Sequence, residues 1–154
     1  MDTAIPARPH QPRKPWYAKG IRFACACTGQ CCTAHGEYDR VYISDDEAKK
    51  IAALLSLRKA EFERQFCLFE DGERQLDLGS GACPFLTRRQ CSIYEARPVQ
   101  CRTWPFWKEN LDEKTWKQQI APFCQGVGRG PLWSRRKIEA IARERDNADS
   151  QASR

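Results

Sequence analysis

No stretch of this chain approaches the roughly 18 consecutive apolar residues of a membrane span. The opening segment MDTAIPARPHQPRKPWYAKG also lacks the apolar run of about 7–15 residues that an export signal needs. Together these absences predict a cytoplasmic protein without membrane contact, in a compartment where thiols stay reduced. No internal repeat is visible, and no aromatic RNP-like strand or other nucleic-acid motif is present. No companion acid–base pair is visible, because Asp45 and Asp46 read as first-turn residues of a capped helix. Apolar residues make up 41% of the 154 and charged residues 30%, a thin supply for one hydrophobic core. Domains of about 100 ordered residues with so little core commonly need a staple.

What the chain has in abundance is cysteine. Eight of its nine cysteines fall into two groups of four: Cys25, Cys27, Cys31 and Cys32, then Cys83, Cys91, Cys101 and Cys124. Reducing conditions and an odd total both favour metal over a disulfide framework. Thiolate sulfur is soft and selects zinc, copper(I) or iron–sulfur clusters over magnesium or calcium. A tetrahedral zinc takes four such ligands, so eight could fill two zinc sites or hold a cluster with thiols to spare. The adjacent pair Cys31–Cys32 points toward more than one metal atom, since neighbouring side chains diverge in regular backbone. The gaps of one, three and zero residues in the first group match neither the zinc-ribbon nor the ferredoxin spacing, so zinc and iron stay equally open. Gly29 and Gly36 would permit turns that aim the sulfurs inward. His35 has a ligand's chemistry but reads more simply as a loop histidine, and Cys67 reads as a small hydrophobe beside Phe66 and Phe69.

The surrounding chain predicts an α+β domain: a small, metal-stapled, loop-rich unit with several helices and short strands. Residues 1–20 form an expected mobile basic arm, residues 21–133 the cysteine-cluster metal-binding domain, and residues 134–154 a C-terminal helix with a frayed tail from Asp146. Glu37–Ser44 reads as a strand, and Ser44 with Glu47 as a capping box. The box opens a helix that places Ala48, Ile51, Ala52 and Leu55 on one face. A second helix over residues 57–69 would align Phe62, Phe66 and Phe69. Asp71–Gly72 supplies a turn before a strand at Arg74–Leu78, and an amphipathic piece is expected around Leu111–Ile120. A last helix within residues 132–146 puts Ile138, Ile141 and Ala142 on one side. Ile51, Leu55, Phe62, Phe66, Phe85, Ile93 and the Trp104–Trp107 cluster are the expected core.

Arg97 and Arg102 sit between cysteines, where a guanidinium could offset thiolate charge; they are the candidate cofactor-binding residues. Trp104, Phe106 and Trp107 would form a hydrophobic lid over the centre. Much of the net charge of +6 is local, in Arg8, Arg13, Lys14, Lys19 and Arg22 and again in Arg135, Arg136 and Lys137. Such segments can bind phosphate, but solvated tails explain them more simply.

FACACTGQCC, CPFL, CSIYEARPVQCRTWPF and CQGVGRG resemble the YkgJ-type cysteine-cluster proteins, the CxxCxxCC family of zinc- or iron-chelating proteins. The resemblance covers roughly Arg22 to Trp133 and implies that the eight grouped cysteines are the chelating set. One departure is visible: Cys27 precedes Thr28, which occupies the position of the family's second cysteine. Related clusters occur in longer flagellin lysine methylases, but this chain has no glycine-rich loop for S-adenosylmethionine. The expected function is therefore a metal-binding protein with zinc or an iron–sulfur centre and a metal ion as its first partner. The alternatives are an iron–sulfur redox enzyme or subunit, and a structural zinc module for a protein or nucleic-acid partner.

Overall fold

The capping box at Ser44 forms as the sequence implies, and it organises the first half of the chain. In the computed structural model, which describes residues 13–33, 40–79 and 81–152, the Glu47 N–H donates to Ser44 Oγ at 3.2 Å. The Ser44 N–H donates back to Glu47 Oε2 at 2.8 Å. Helix α1 (Asp45–Leu54) then buries Ala48, Ile51 and Ala52, one stripe of an amphipathic helix. Helix α2 (Lys59–Phe66) packs beside it and buries Phe62, whose ring stacks on Phe85 at 6.3 Å between centroids. Ile43, Leu76 and Ile93 complete this first core.

The second expected helix is shorter than the pattern suggested. Cys67–Glu70 is a strand, β2, paired antiparallel with β3 (Glu73–Leu76). The cause is the turn between them: Asp71 and Gly72 both have positive φ, 52° and 80°, as a two-residue hairpin of the primed type requires. That turn dictates the pair Glu70↔Glu73 and pulls the preceding four residues out of the helix. Phe69 therefore leaves the Phe62–Phe66 face and stands 58% exposed. The strand expected over Glu37–Ser44 lies outside the described residues as far as residue 39. Its remainder makes one isolated bridge, Tyr42↔Gln75, rather than a ladder.

A second core gathers around strands that the sequence did not announce. β1 (Ile21–Phe23) pairs antiparallel with β6 (Val127–Trp133). The register jumps from Arg22↔Leu132 to Phe23↔Val127, so residues 128–131 bulge out of the ladder. Gly128, Gly130 and Pro131 lie in that bulge, and such residues normally argue against a strand. Ile21, Phe106, Trp116, Ile120 and Ile138 form the buried centre of this core. Trp116 and Ile120 belong to a π-helical turn between the short helices α4 (Glu113–Thr115) and α5 (Ala121–Phe123).

Both chain ends of the described region are more ordered than expected. The expected mobile arm lies outside the described residues through residue 12. From Trp16 the chain is docked: the Trp16 indole N–H donates to Leu111 O at 2.8 Å, and its ring meets Trp116 at 5.6 Å. At the other end α6 (Arg135–Ala152) stays helical to Ala152, within the predicted frayed tail. An Arg145–Asp149 ion pair at 3.3 Å and the Ser150 hydroxyl on Asp146 O at 2.9 Å support its last turns. The architecture is mixed α+β, with short antiparallel strand pairs β1–β6, β2–β3 and β4–β5 (Leu86–Thr87 with Gln90–Cys91). Among the described residues no helix is long and apolar enough to cross a membrane.

Glu47 also spans the gap between the two halves. Its Oε1 accepts the Val99 N–H at 2.6 Å, which fixes the start of helix α3 (Val99–Thr103) against the start of α1. Replacing Glu47 by Ala removes half of the capping box and a charge-assisted hydrogen bond. Chemical denaturation should show a loss of about 2–4 kcal/mol. A loss under about 0.5 kcal/mol, the size of an ordinary surface change, would contradict this bridging role.

Candidate metal centre

The two cysteine groups are joined by backbone before any side chain is considered. The Cys83 N–H donates to Cys32 O at 2.7 Å, and Thr33 bridges Ala82. Cys31 and Cys32 sit on a 3-10 turn (Gln30–Cys32) that starts after Gly29, whose φ is +72°. The β4–β5 hairpin places Cys91 opposite Leu86, and the Leu86 N–H closes back on Cys83 O at 3.0 Å. Helix α3 carries Cys101, and Pro98 is its N-cap.

These segments surround one cavity of ≈ 320 Å³ between the two cores. Seven cysteines line it: Cys25, Cys27, Cys31 and Cys32 from the first group, and Cys83, Cys91 and Cys101 from the second. Cys25, Cys27 and Cys31 stand at the exposed rim, whereas Cys32, Cys83, Cys91 and Cys101 are half-buried. The thiols are spread over the wall. Among the described residues no three Cys, His, Asp or Glu side chains are preset around a single ion position. The remaining wall is largely apolar, with Leu76, Leu78, Ile93, Trp104 and Trp107.

This setting disfavours bare thiolates. A hydrogen bond with Cys32, then burial, pushes the Cys31 thiol far above its ordinary range. Burial also raises the thiols of Cys101, Cys83 and Cys91, with neighbouring cysteines adding to the effect at each. Cys27 is raised by the Cys25 charge and by a hydrogen bond to it. Arg97 works the other way on Cys27, Cys31, Cys91 and Cys101, its positive charge favouring the thiolate at each. Seven thiols in one apolar cavity, with Cys27, Cys31, Cys83, Cys91 and Cys101 raised above their ordinary range, fit a soft metal centre, whose positive charge supplies what the wall lacks.

Cys27 stands where the resemblance showed a departure, and its backbone shows how the shift is absorbed. It has a φ of +52°, a left-handed conformation uncommon for a residue with a Cβ. That turn brings its side chain to the cavity from one position earlier in the chain. Cys124 does not line the cavity, but its segment is close to the rim. The Ala24 N–H, beside Cys25, donates to Gly126 O at 3.1 Å, two residues past Cys124. A Cβ at Gly126 would collide with the Ala24 carbonyl oxygen, so only glycine permits this approach. Cys67 stays apart, packed on the first core with its thiol pushed up to about 11 by burial.

The two candidate arginines separate. Arg97 reaches the cavity, with its guanidinium 3.6 Å from the Tyr94 ring centroid and its Nε donating to Tyr94 O at 2.9 Å. Arg102 does not line the cavity; it pairs with Glu144 of α6 at 2.5 Å instead. Arg89 and Arg40 line the cavity in its place. The sequence signal for Arg89 was available in Arg88–Arg89, which precede Cys91 and both have positive φ. The expected aromatic lid also divides: Trp104 and Trp107 wall the cavity, in edge contact at 4.9 Å, while Phe106 turns into the second core. His35 lies outside the described residues.

Comparison with known proteins places the chain in a family. The CxxCxxCC family, described as "Putative zinc- or iron-chelating domain", matches residues 24–125, and the chain belongs to it. The match spans all eight grouped cysteines. An uncharacterized protein of Methanocaldococcus jannaschii is 28% identical over 117 residues, which cover 72% of this chain and 61% of that protein. The chain thus spans about three fifths of that relative's length. No solved structure matches.

Gly29 tests how tightly the cysteine turn is built. An added Cβ would lie 2.7 Å from Leu86 Cδ1 in a backbone conformation that favours glycine. Gly29→Ala should therefore cost about 1–3 kcal/mol in chemical denaturation and lower metal content per chain. Wild-type stability and metal content would show that the turn tolerates a side chain.

Proposed function

We propose that the cavity seats a multi-atom thiolate–metal centre, either an iron–sulfur cluster or a pair of zinc ions, in a cytoplasmic chelating protein. The carrying observation is that seven thiols from both cysteine groups line one cavity of ≈ 320 Å³. A single zinc takes four sulfurs at about 2.3 Å, which puts them about 3.8 Å from one another. Seven sulfurs around a larger space exceed what one ion can use and suit two or more metal atoms. Cys124 is included as the eighth donor because the Ala24–Gly126 hydrogen bond brings its segment beside the rim. Residues 21–133 then form the metal-binding unit.

The protein's own groups have distinct tasks in this reading. Arg97 offsets thiolate charge. Trp104 and Trp107 exclude water from the inner wall. The metal, once bound, supplies the positive charge that lets the sulfurs ionise. Metal uptake displaces thiol protons, so affinity weakens as pH is lowered.

Anaerobic purification, metal analysis and an absorption spectrum test the reading directly. Acid-labile sulfide with a band near about 400 nm identifies the iron–sulfur form, and about two zinc ions in a colourless protein identify the paired-zinc form. One ion per fully loaded chain would overturn the multi-atom centre. Cys101→Ser should reduce the bound metal, whereas Cys67→Ser should leave it unchanged; equal loss in both would break the assignment. Chelation should unfold the domain, because ligation and folding are coupled. Unchanged circular dichroism after complete metal removal would show that the fold does not need it.

A further inference from the structure

We infer that the face built on the β1–β6 ladder and the start of α6 is a binding surface for the phosphate backbone of nucleic acid, independent of the metal centre. Two segments distant in sequence form it, and both are one-signed. Residues 13–22 carry Arg13, Lys14, Lys19 and Arg22 and no acid. Residues 125–138 carry Arg129, Arg135, Arg136 and Lys137 and again no acid. The strand pairing holds the two together, with Ile21 opposite Trp133 and Arg22 opposite Leu132. Arg22 Nη1 donates to Gly130 O at 3.0 Å, and Tyr17 lies close enough to Arg135 and Glu139 to feel both charges. All eight cations are on exposed residues. The whole chain is only +6, so everything outside this face carries a net negative charge.

Folding alone does not account for this segregation. Like charges gathered on one face repel one another. Arg135, Arg136 and Lys137 also occupy the first turn of α6, where the helix dipole disfavours cations. One of the three is relieved, by the Arg135–Glu139 pair at 2.7 Å. Arg129 sits on the 128–131 bulge between two glycines of positive φ, Gly128 (83°) and Gly130 (73°), and a Cβ at Gly128 would meet nothing within 4 Å. A phosphate can therefore approach the guanidinium past the open side of Gly128. A membrane is the poorer match: the apolar residues Ile138 and Ile141 of α6 turn into the core, and Leu132 is the large exposed hydrophobic residue on this face. Insertion into lipid needs a broader apolar face than that.

The test measures binding of the full-length, metal-loaded protein to a fluorescent single-stranded RNA of about 20 nucleotides by anisotropy. If half of the eight cations engage phosphates, affinity should fall about 50-fold between 50 and 200 mM salt. Arg129→Glu with Arg136→Glu should weaken binding about tenfold or more at 50 mM salt. Lys50→Glu with Arg64→Glu, an equal charge change on α1 and α2, should leave it within about twofold. Equal weakening by both pairs would reduce the effect to net charge and overturn the surface. Absence of RNA binding at 50 mM salt would overturn it as well, as would binding to anionic phospholipid vesicles in its place. Metal content of the patch variants should equal the wild type, which separates this result from the fate of the metal centre.

Discussion

The hydrogen bond from the Cys83 N–H to Cys32 O is the contact on which the rest of the site depends. It is main chain to main chain and needs no metal to define it. Around it, Thr33 bridges Ala82, so the first cysteine group is laid edge-on against the start of the second. The remaining donors arrive by short local devices: a hairpin for Cys91 and one turn of helix for Cys101. No long element carries the site. That explains how a segment with little regular structure between residues 77 and 98 places Cys83 and Cys91 on the cavity.

Position between two cores gives the cavity its chemistry. The first core contributes Leu76 and Ile93, and the second contributes the flank of Trp104. Helix α6 backs the tryptophan side: the Arg145 guanidinium lies 4.1 Å from the Trp107 ring centroid, and Arg102 pairs with Glu144. An apolar wall raises the cost of an isolated thiolate and strengthens any charge pairing made inside it. In the proposed centre, protonated thiols and a metal-bound set of thiolates are thus the two states the wall would favour. Arg97, flat against Tyr94, is positioned to favour the thiolate state without crossing into the core.

Sequence reasoning recovered the parts of this fold whose signals are local. The Ser44–Glu47 box, the buried stripe Ala48–Ile51–Ala52 and the core positions Phe62, Phe85 and Ile93 were legible because capping and helical periodicity are contained within a few residues. The helix over 57–69 was overextended because Phe62, Phe66 and Phe69 fit a helical period, although the Asp71–Gly72 turn behind them demanded a strand on each side. β6 was invisible because its glycines and proline serve a bulge, and only its partner β1 reveals it. At the site, the grouping of thiols was plain in the spacing. Which arginine approaches them was not. Arg102 is one helical residue beyond Cys101, so it points to α6, while Arg89 reaches the cavity through a hairpin turn.

The displaced second cysteine shows what kind of constraint the cluster imposes. The family pattern places two residues between its first and second cysteines, and here there is one. A strict geometric template would leave Cys27 pointing away. Instead the backbone at Cys27 turns left-handed, at a cost of about 1 kcal/mol or somewhat more. Gly29 recovers the path two residues later with its own positive φ, so Cys31 and Cys32 still reach the cavity. The fixed quantities are therefore the endpoints, Ala24 against Gly126 and Cys32 against Cys83. Between them the loop is free to redistribute its sulfurs. A rim that tolerates such redistribution, above a floor fixed by Cys83, Cys91 and Cys101, divides the cysteines into positioned and adaptable groups. Cys25, Cys27 and Cys31, the exposed residues of the rim, form the adaptable set.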